Sequence, residues 1–472
     1  MAAPRPDTER LATMTTFRFS LPVALATGAL ALGSQSPAAW GQSANDTAAI
    51  RQMIEQMKQD YETRIRDLEQ RLERAEGDAK SAKESAAQTK AAVAAQPAPA
   101  PVGTAATTPN PSSNPNAFNP SISAVLNGTF GAFSHDPGNV RIPGFALGSG
   151  ASEGNSRGFS LGESEVNLAA NIDQALRGEL TLAFTSEDEV SIEEAFIQTT
   201  SLPWGFTAKA GRFFSGVGYL NEKHSHNWDF IDQPLPYQAM LDTQYGDDGV
   251  QLRWLAPTPF FLEFGGELFR GDSFPGSGAA HGGVGAYSAF VRAGDDLNES
   301  SSWQAGLSYL HTTAKDRETG DTPDVFNGHT DVGIASLVYK WAPDGNPTQR
   351  NLTLAGEYFV QRQSGDFNSA NLDGEYQTGW YAQAVYQFMP RWKVGLRYDQ
   401  VDSGDVDVAL ADTALDNLGH TPRRGTALLE YDTSEFGRIR LQYSRDDSDI
   451  DTNDSLLLQY TVIFGPHGAH QF

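Results

Sequence analysis

From residue 121 onward, apolar and polar side chains alternate along short segments of the chain. Residues 392–398 read WKVGLRY and residues 438–444 read RIRLQYS, so every second side chain is apolar or aromatic over most of each segment. A period of two is typical of a β-strand with one apolar and one polar face. About 16 such segments lie between residues 121 and 464, so the sequence predicts about 16 strands.

The connections between these segments fall into a short and a long class. Short ones at 256–259 and 389–390 alternate with long ones at 215–247, 313–329, 363–375 and 403–419. A soluble β-sandwich also alternates, but its connections are not so unequal. Transmembrane barrels combine tight turns at one end with long loops at the other, and an even number of antiparallel strands closes without a free edge. We therefore predict an all-β fold for residues 121–472, a transmembrane antiparallel β-barrel of about 16 strands.

The chain before the barrel has a different period. Between Ile50 and Ala82, apolar residues recur at spacings of three and four, with an average close to 3.5. This spacing predicts an α-helical coiled coil over residues 46–90. A single amphipathic helix packed on its own barrel would show the same spacing, but the other faces carry Glu, Arg, Lys and Gln and favour self-association. Residues 91–120 are uncharged and rich in Pro, Ala, Asn and Thr, which predicts an extended linker.

The first 41 residues have the features of an export signal. Three arginines precede an apolar run over residues 21–32, and Ala39 and Gly41 are small residues at the positions that a signal peptidase reads. We predict a signal peptide over residues 1–41, with Met14 as an alternative start. Export places the coiled coil in the periplasm and the barrel in the outer membrane of a Gram-negative bacterium.

The composition of the chain excludes several kinds of site and partner. The chain contains no cysteine, which excludes disulfides, a thiol nucleophile and cysteine metal ligands. Residues 1–120 hold 12 of the 34 basic and 12 of the 59 acidic residues, so the net charge of −25 lies entirely in the remaining 352 residues, with 22 basic and 47 acidic side chains. Nucleic acid is therefore excluded as a partner, because phosphate recognition needs a basic face. Cations or neutral solutes are favoured.

Aromatic residues concentrate near the ends of the predicted strands. They match the girdles that transmembrane proteins place at the two lipid interfaces: Trp254, Trp341, Trp380, Trp392, Tyr398, Tyr443 and Phe464. The terminal Phe472 follows an alternating strand and resembles the signal read by the barrel assembly machinery of the outer membrane. We therefore expect outer-membrane lipid, lipopolysaccharide and that machinery as partners, with His467 and His470 beside the signal on the periplasmic side.

Several segments carry a resemblance to a known family. They are SEV at 164–166, RGEL at 177–180, EEAF at 193–196, AGRF at 210–213, and the loop residues Gly218, Glu222, Asp229 and Phe230. Together they resemble the phosphate-selective porin (O/P-type) superfamily, and the sequence looks most similar to its zinc-regulated outer-membrane porin subset. The resemblance covers residues 121–472. It implies a homotrimer of 16-stranded channels whose third external loop, residues 215–247, folds inward and narrows the pore.

The charge of this chain departs from that family. Phosphate channels of the superfamily use rows of Arg and Lys, whereas acids outnumber bases in this barrel, so phosphate selectivity does not carry over. The basic residues that the alternation places toward the lumen, and that we predict to line the pore, are Lys209, Arg253, Lys393, Arg397, Arg438 and Arg440.

The long loop carries the candidate selectivity residues. Those predicted for the constriction are Glu222, Lys223, His224, His226, Asp229 and Asp232. Imidazole and carboxylate at short spacing suit a weak divalent metal site, and in an extended His-x-His pair both rings point to one face. His224, His226 and Asp229 are therefore candidate metal ligands. The alternative is that they are polar residues hydrogen-bonded inside a packed loop, and no cofactor is expected beyond a weakly bound divalent ion.

These features predict a porin, a passive diffusion channel for small solutes or ions, with divalent metal such as zinc as the more specific hypothesis. A structural tether between outer membrane and cell wall stays open, because tethering does not exclude conduction. An energised receptor of the TonB-dependent type would need a globular plug and a larger barrel. An enzyme is disfavoured, since no Gly-x-Ser-x-Gly, His-Glu-x-x-His or phosphate-binding loop is present.

Overall fold

The computed structural model describes residues 120–138, 141–148, 150, 156–184, 190–277, 283–319, 324–368, 370–404 and 408–465. The predicted signal peptide, the coiled coil and all but the last residue of the linker lie outside these residues, as do His467, His470 and Phe472. Within the described ranges, no helix combines the length and the apolar character needed to cross a membrane.

The described chain is almost entirely β-structure. Its strands are β1 (Ser121–Phe133), β2 (Gly158–Leu161), β3 (Ser164–Asn171), β4 (Leu176–Phe184), β5 (Val190–Thr199), β6 (Phe206–Phe214), β7 (Gly246–Leu255), β8 (Phe261–Phe269), β9 (Ala286–Asn298), β10 (Ser301–Thr319), β11 (Asp324–Trp341), β12 (Asn351–Phe367), β13 (Ala370–Met389), β14 (Trp392–Asp402), β15 (Arg423–Ser434), β16 (Gly437–Asp447) and β17 (Asn453–Phe464). One α-helix, α1 (Leu235–Leu241), and short 3-10 turns at Pro203–Gly205, Ser225–Asn227, Pro343–Gly345 and Val408–Leu410 complete the elements.

The strands form one closed antiparallel sheet. From β3 to β17 each strand pairs with the next along the chain, and β17 pairs with β1, from Ala124 opposite Phe464 to Phe133 opposite Ser455. Both β2 and β3 pair with β1, so they are two parts of one strand interrupted at Gly162 and Glu163. The barrel therefore has 16 strand positions, as predicted, and closure leaves no unpaired edge.

The two faces of the barrel wall are the reverse of those in a soluble protein. In β16 the outward side chains of Ile439 and Leu441 are 37% and 41% exposed, while Arg440 and Gln442 on the inward face are each 1% exposed. The same alternation occurs along the other strands, with apolar side chains outside. The outer face of such a wall can contact lipid tails, and its inner face can contact water or polar groups.

Two predicted long connections were wrong. Residues 313–329 and 363–375 were expected to be loops, but β10 extends to Thr319, β11 begins at Asp324, β12 extends to Phe367 and β13 begins at Ala370. These four strands are 17–20 residues long, more than the 9–11 that a bilayer requires. Beyond the apolar band both faces become polar, so the apolar alternation ends while the backbone ladder continues.

The segment between β6 and β7, residues 215–245, lies inside the barrel. Its α1 packs against β13 and β14. An apolar core joins the segment to the inner wall; the segment contributes Val217, Leu220, Leu235, Tyr237, Met240 and Leu241, and the wall contributes Phe213, Phe269, Leu310, Val332, Phe359 and Tyr381. The barrel thus carries a compact, partly apolar loop in its interior, which we call the inner loop.

Candidate functional site

A buried carboxylate fixes the inner loop to β12. Oε2 of Glu357 accepts hydrogen bonds of 2.7 Å from the hydroxyls of Tyr237, on the loop, and Tyr381, on β13. Oε1 of Glu357 accepts a 2.7 Å bond from the backbone N–H of Tyr219. Because Glu357 is only 3% exposed, these three donors supply the hydrogen bonds that water cannot.

A second anchor ties the loop to β14 and β15. Asp232 on the loop accepts a 3.0 Å bond from Arg397, which also donates to Asp399 at 2.9 Å. Arg424 pairs with Asp232 at 3.0 Å and donates at 2.6 Å to the carbonyl of Gln233. Burial by itself raises the pKa of Asp232, but the two guanidinium groups outweigh it and lower that pKa to about 2.

The third anchor is made by two arginines of β16. Nη1 of Arg440 donates to the carbonyls of Trp228 at 2.7 Å and Phe230 at 3.1 Å, while its Nε bonds to Gln459 of β17 at 3.0 Å. Arg438 donates to the carbonyl of His226. These carbonyls belong to a part of the loop outside α1. The two guanidinium groups supply the hydrogen-bond donors that the carbonyls need.

The low pKa of Asp232 predicts how the stability of the fold depends on pH. Because the folded-state pKa lies below the usual value of about 3.9, the anchor stabilises the fold above that value and loses its contribution as the pH falls through about 2. The contribution amounts to about 2 kcal/mol. We expect Asp232→Asn to lower the unfolding temperature by a constant amount from pH 7 to 4, and by progressively less toward pH 2. A difference that vanishes already at pH 5 would contradict this assignment.

On the opposite side of the inner loop, histidines meet carboxylates of the wall. Nδ1 of His224 lies 3.0 Å from Oε2 of Glu193 and 3.3 Å from Oε2 of Glu165, and its Nε2 lies 3.0 Å from Oε2 of Glu194. Nδ1 of His226 lies 2.8 Å from Oε1 of Glu165, and the two imidazole rings stack at 5.7 Å. We call Glu165, Glu193, Glu194, His224 and His226 the histidine–glutamate cluster.

A β-bulge explains why two adjacent glutamates reach the same histidine. Thr181 of β4 pairs with Glu194, whereas Leu182 pairs with Ile192, so Glu193 is the extra residue on β5. A bulge re-aims a side chain that would otherwise point to the other face of the sheet. Both carboxylates therefore face the interior.

The cluster carries excess negative charge. Within the described residues, no lysine or arginine lies within ion-pairing distance of Glu165, Glu193 or Glu194, whose ion pairs are with the histidines. Burial opposes protonation of His224, but the surrounding carboxylates raise its pKa well above the usual value. The site therefore attracts positive charge, as a proton or as another cation.

Most of the predicted pore-lining bases border one cavity of about 1350 Å³ between the inner loop and the wall. Lys209, Arg253, Lys393 and Arg438 border it, together with Glu222, Lys223, His224 and His226 of the loop. Arg397 and Arg440 do not; they lie beneath the loop and hold it. Asp229 accepts a bond from Gln383 at 2.8 Å, and Asp232 belongs to the second anchor, so neither joins the histidines.

Charges around the cavity are nearly balanced. Its acidic side chains are Glu165, Glu179, Glu194, Glu222, Glu263, Glu430, Asp432 and Glu435, and its basic ones are Arg177, Lys209, Lys223, Arg253, Arg292, Lys393 and Arg438. Many are paired: Glu222 bonds Arg292 at 2.6 Å and also bonds Arg253, and Lys393 bonds Glu430 at 2.6 Å. The acidic excess of the barrel therefore lies largely elsewhere than on the cavity wall.

Sequence reasoning missed the wall carboxylates that meet the loop. Glu165 and Glu357 stand at inward positions of otherwise alternating strands, and Glu193-Glu194 breaks the alternation of β5. A charge at an inward position opposite a long loop was the available signal. What the sequence did not contain was which strand the loop would meet.

Comparison with known proteins gives one relative by sequence. No protein-family model matches the chain. A protein of Aquifex aeolicus (strain VF5), described as an uncharacterized protein, is 30% identical over 386 residues, covering 75% of this chain and 80% of that protein.

Several solved structures are similar to this chain at low identity. OmpT of Vibrio cholerae with its loop L8 deleted has a TM-score of 0.48 at 11% identity, covering 74% of this chain and 100% of that one. The anion-selective porin of Comamonas acidovorans gives 0.47 at 11%, covering 73% and 99%, and the outer membrane channel DcaP of Acinetobacter baumannii gives 0.46 at 12%, covering 73% and 97%. At these scores the likeness carries no argument about function, and the architecture rests on the strand pairings of the chain itself.

Proposed function

This chain belongs to the same protein family as the uncharacterized Aquifex aeolicus protein, and we propose from its own geometry that it is a passive diffusion channel of the outer membrane. One observation carries the proposal: the inner loop, residues 215–245, is anchored inside a closed barrel and borders a cavity of about 1350 Å³. A loop held rigidly in a barrel sets the width of the passage and the charges that solutes meet. No bond is made or broken in this function.

The location follows from the outer wall. Exposed apolar side chains on strands around the barrel, such as Leu307 on β10, Leu396 on β14 and Leu458 on β17, suit contact with lipid tails. We infer insertion in the outer membrane of a Gram-negative bacterium, with lipopolysaccharide around the outer rim and a homotrimer as the assembled state. The coiled coil at residues 46–90 would then lie in the periplasm, and Phe472 would serve the assembly machinery.

The balanced cavity wall leads to a specific expectation about selectivity. Composition alone favours cations, but paired charges such as Glu222 with Arg292 leave little net field across the passage. We propose general passage of small solutes with a weak preference for cations, supplied by acids outside the cavity. Divalent metal is the more specific candidate solute, supported by the histidine–glutamate cluster beside the cavity. This preference differs from that of the phosphate-selective porins that the sequence resembles.

The test is single-channel conductance of the purified full-length chain in a planar bilayer under a KCl gradient. We expect stepwise openings with a reversal potential shifted slightly toward cations. Lys393→Gln removes the ion pairs of Lys393 with Glu430 and Asp432 and should increase the cation preference a few-fold. Arg391→Gln, at the exposed turn two residues before Lys393, should leave the cation preference unchanged.

Two other results would contradict the proposal. Strong anion selectivity would indicate a phosphate-type channel instead. Absence of conductance from a barrel that still shows heat-modifiable gel mobility would favour a structural tether or a plugged receptor.

A further inference from the structure

We propose that His224, Glu165 and Glu193 form a divalent metal site that joins the inner loop to the barrel wall and, when filled, lowers the conductance of the channel. The metal site stands on the geometry of the three side chains. The effect on conductance rests on the proposed function as a channel.

The spacing of the three ligand atoms suits a tetrahedral ion. One nitrogen of His224 and one oxygen from each glutamate lie within 4.8 Å of one another. The nitrogen is 3.0 Å from the Glu193 oxygen and 3.3 Å from the Glu165 oxygen. Ligands about 2.0–2.2 Å from a tetrahedral ion lie roughly 3.3–3.5 Å from each other. The two nitrogen–oxygen distances are therefore within a few tenths of an ångström of those in a tetrahedral coordination sphere.

The donor types favour a particular class of ion. One imidazole with two carboxylates is a set used by Zn²⁺ and by neighbouring first-row metals such as Co²⁺. Ca²⁺ prefers six to eight oxygens and Mg²⁺ prefers an octahedral shell with several waters. Since three protein ligands leave a fourth position open, the ion would keep a water or bind an anion facing the cavity.

Neighbouring groups hold the ligands in place. Glu194 bonds the Nε2 of His224 at 3.0 Å, which leaves Nδ1 directed at Glu165 and Glu193. His226 holds the other oxygen of Glu165 at 2.8 Å. A carboxylate on the second nitrogen of a histidine ligand fixes its orientation and raises its basicity. These partners come from the same cluster and need no rearrangement.

The position of the site explains its effect on the channel. His224 belongs to the inner loop, whereas Glu165 and Glu193 belong to β3 and β5. The three anchors at Glu357, Asp232 and Arg440 hold the loop to β12, β14, β15 and β16. A metal ion would tie the loop to β3 and β5 as well and place positive charge beside the cavity, so cation passage should fall.

Binding can be tested without measuring transport. The purified full-length chain is titrated with Co²⁺ alone, and the visible absorption of four-coordinate Co²⁺ is followed, with Zn²⁺ competition giving the Zn²⁺ affinity. We expect His224→Gln and Glu193→Gln each to weaken binding by more than about tenfold, because even outer partners of a metal ligand contribute about 10- to 100-fold. His329→Gln is the matched control, since that histidine lies on β11 and its side chain bonds Thr313 rather than a glutamate.

The outcomes separate the site from the channel function. Equal Zn²⁺ affinity in the wild type and both cluster variants would overturn the site, leaving an ion-pair contact between loop and wall. If Zn²⁺ lowers wild-type conductance but not that of His224→Gln, both parts hold. Tight binding that leaves wild-type conductance unchanged would overturn the regulatory part. A barrel that binds Zn²⁺ through His224 but never conducts would overturn the proposed function and leave the site standing. Heat-modifiable mobility of each variant confirms that it folds.

Discussion

Arg440→Ala is expected to produce larger and noisier single-channel openings. The substitution removes the donor to the carbonyls of Trp228 and Phe230 of the inner loop. Unpaired buried acceptors cost about 1–3 kcal/mol each, so a loss of about 2–4 kcal/mol of anchoring raises the population of displaced loop roughly 30- to 1000-fold. Single-channel recording of the variant measures both the conductance and the noise.

Arg445→Ala is the matched control for this experiment. Arg445 lies on the same strand, has a side chain that is 60% exposed, and pairs with Asp454 at 3.6 Å. Its removal should leave conductance, noise and unfolding temperature unchanged, because exposed ion pairs contribute about 0–1 kcal/mol. Identical recordings for Arg440→Ala and Arg445→Ala would mean that the loop does not depend on the third anchor.

Glu357→Ala is expected to have the second large effect, a loss of about 3–5 kcal/mol from the stability of the loop within the barrel. It leaves two tyrosine hydroxyls and the N–H of Tyr219 without an acceptor in the apolar core. The loop should become accessible to protease while the barrel stays folded. Limited proteolysis of the purified chain, followed by mass spectrometry of the fragments, locates any cut within residues 215–245.

Two further variants make the assignment specific. Glu357→Gln retains one acceptor oxygen and should lose roughly half as much protection as Glu357→Ala. Glu299→Ala, at an exposed turn, should cost less than about 0.5 kcal/mol and leave the loop resistant to protease. If the protease cuts the loop at equal rates in Glu299→Ala and Glu357→Ala, Glu357 does not anchor the inner loop.

The sequence predicted the barrel well because strand alternation is a local pattern. The alternating segments 392–398 and 438–444 lie within β14 and β16. The pattern failed at the outer ends of β10–β13, where both faces are polar and the backbone pairing alone defines the strand. It also did not show the interruption at Gly162 and Glu163, which divides one strand position into β2 and β3.

The candidate site was predicted only in its local part. As their spacing suggested, His224 and His226 face a common partner, which is Glu165 of the wall. His224 also contacts Glu193 and Glu194, whereas Asp229, five residues after His224, does not join the histidines. His224 lies 31 positions after Glu193 and 59 positions after Glu165. Contacts over these separations depend on strand order and on a bulge, and neither can be inferred from the local sequence. Net charge likewise did not predict the balanced cavity wall, because it does not distinguish external acids from internal ones.

The anchors of the inner loop also constrain the order in which the molecule can assemble. Tyr237, Asp232 and Trp228 meet their partners 120, 165 and 212 residues later in the chain. Contacts of such high sequence separation form late, because a long chain segment must first be closed into a loop. The loop therefore cannot make all three anchors until the last strands arrive. Pairing of β16 and β17 completes the wall and supplies the third anchor, so a chain halted before residue 437 would be an open sheet whose inner loop lacks the contacts to Arg438 and Arg440.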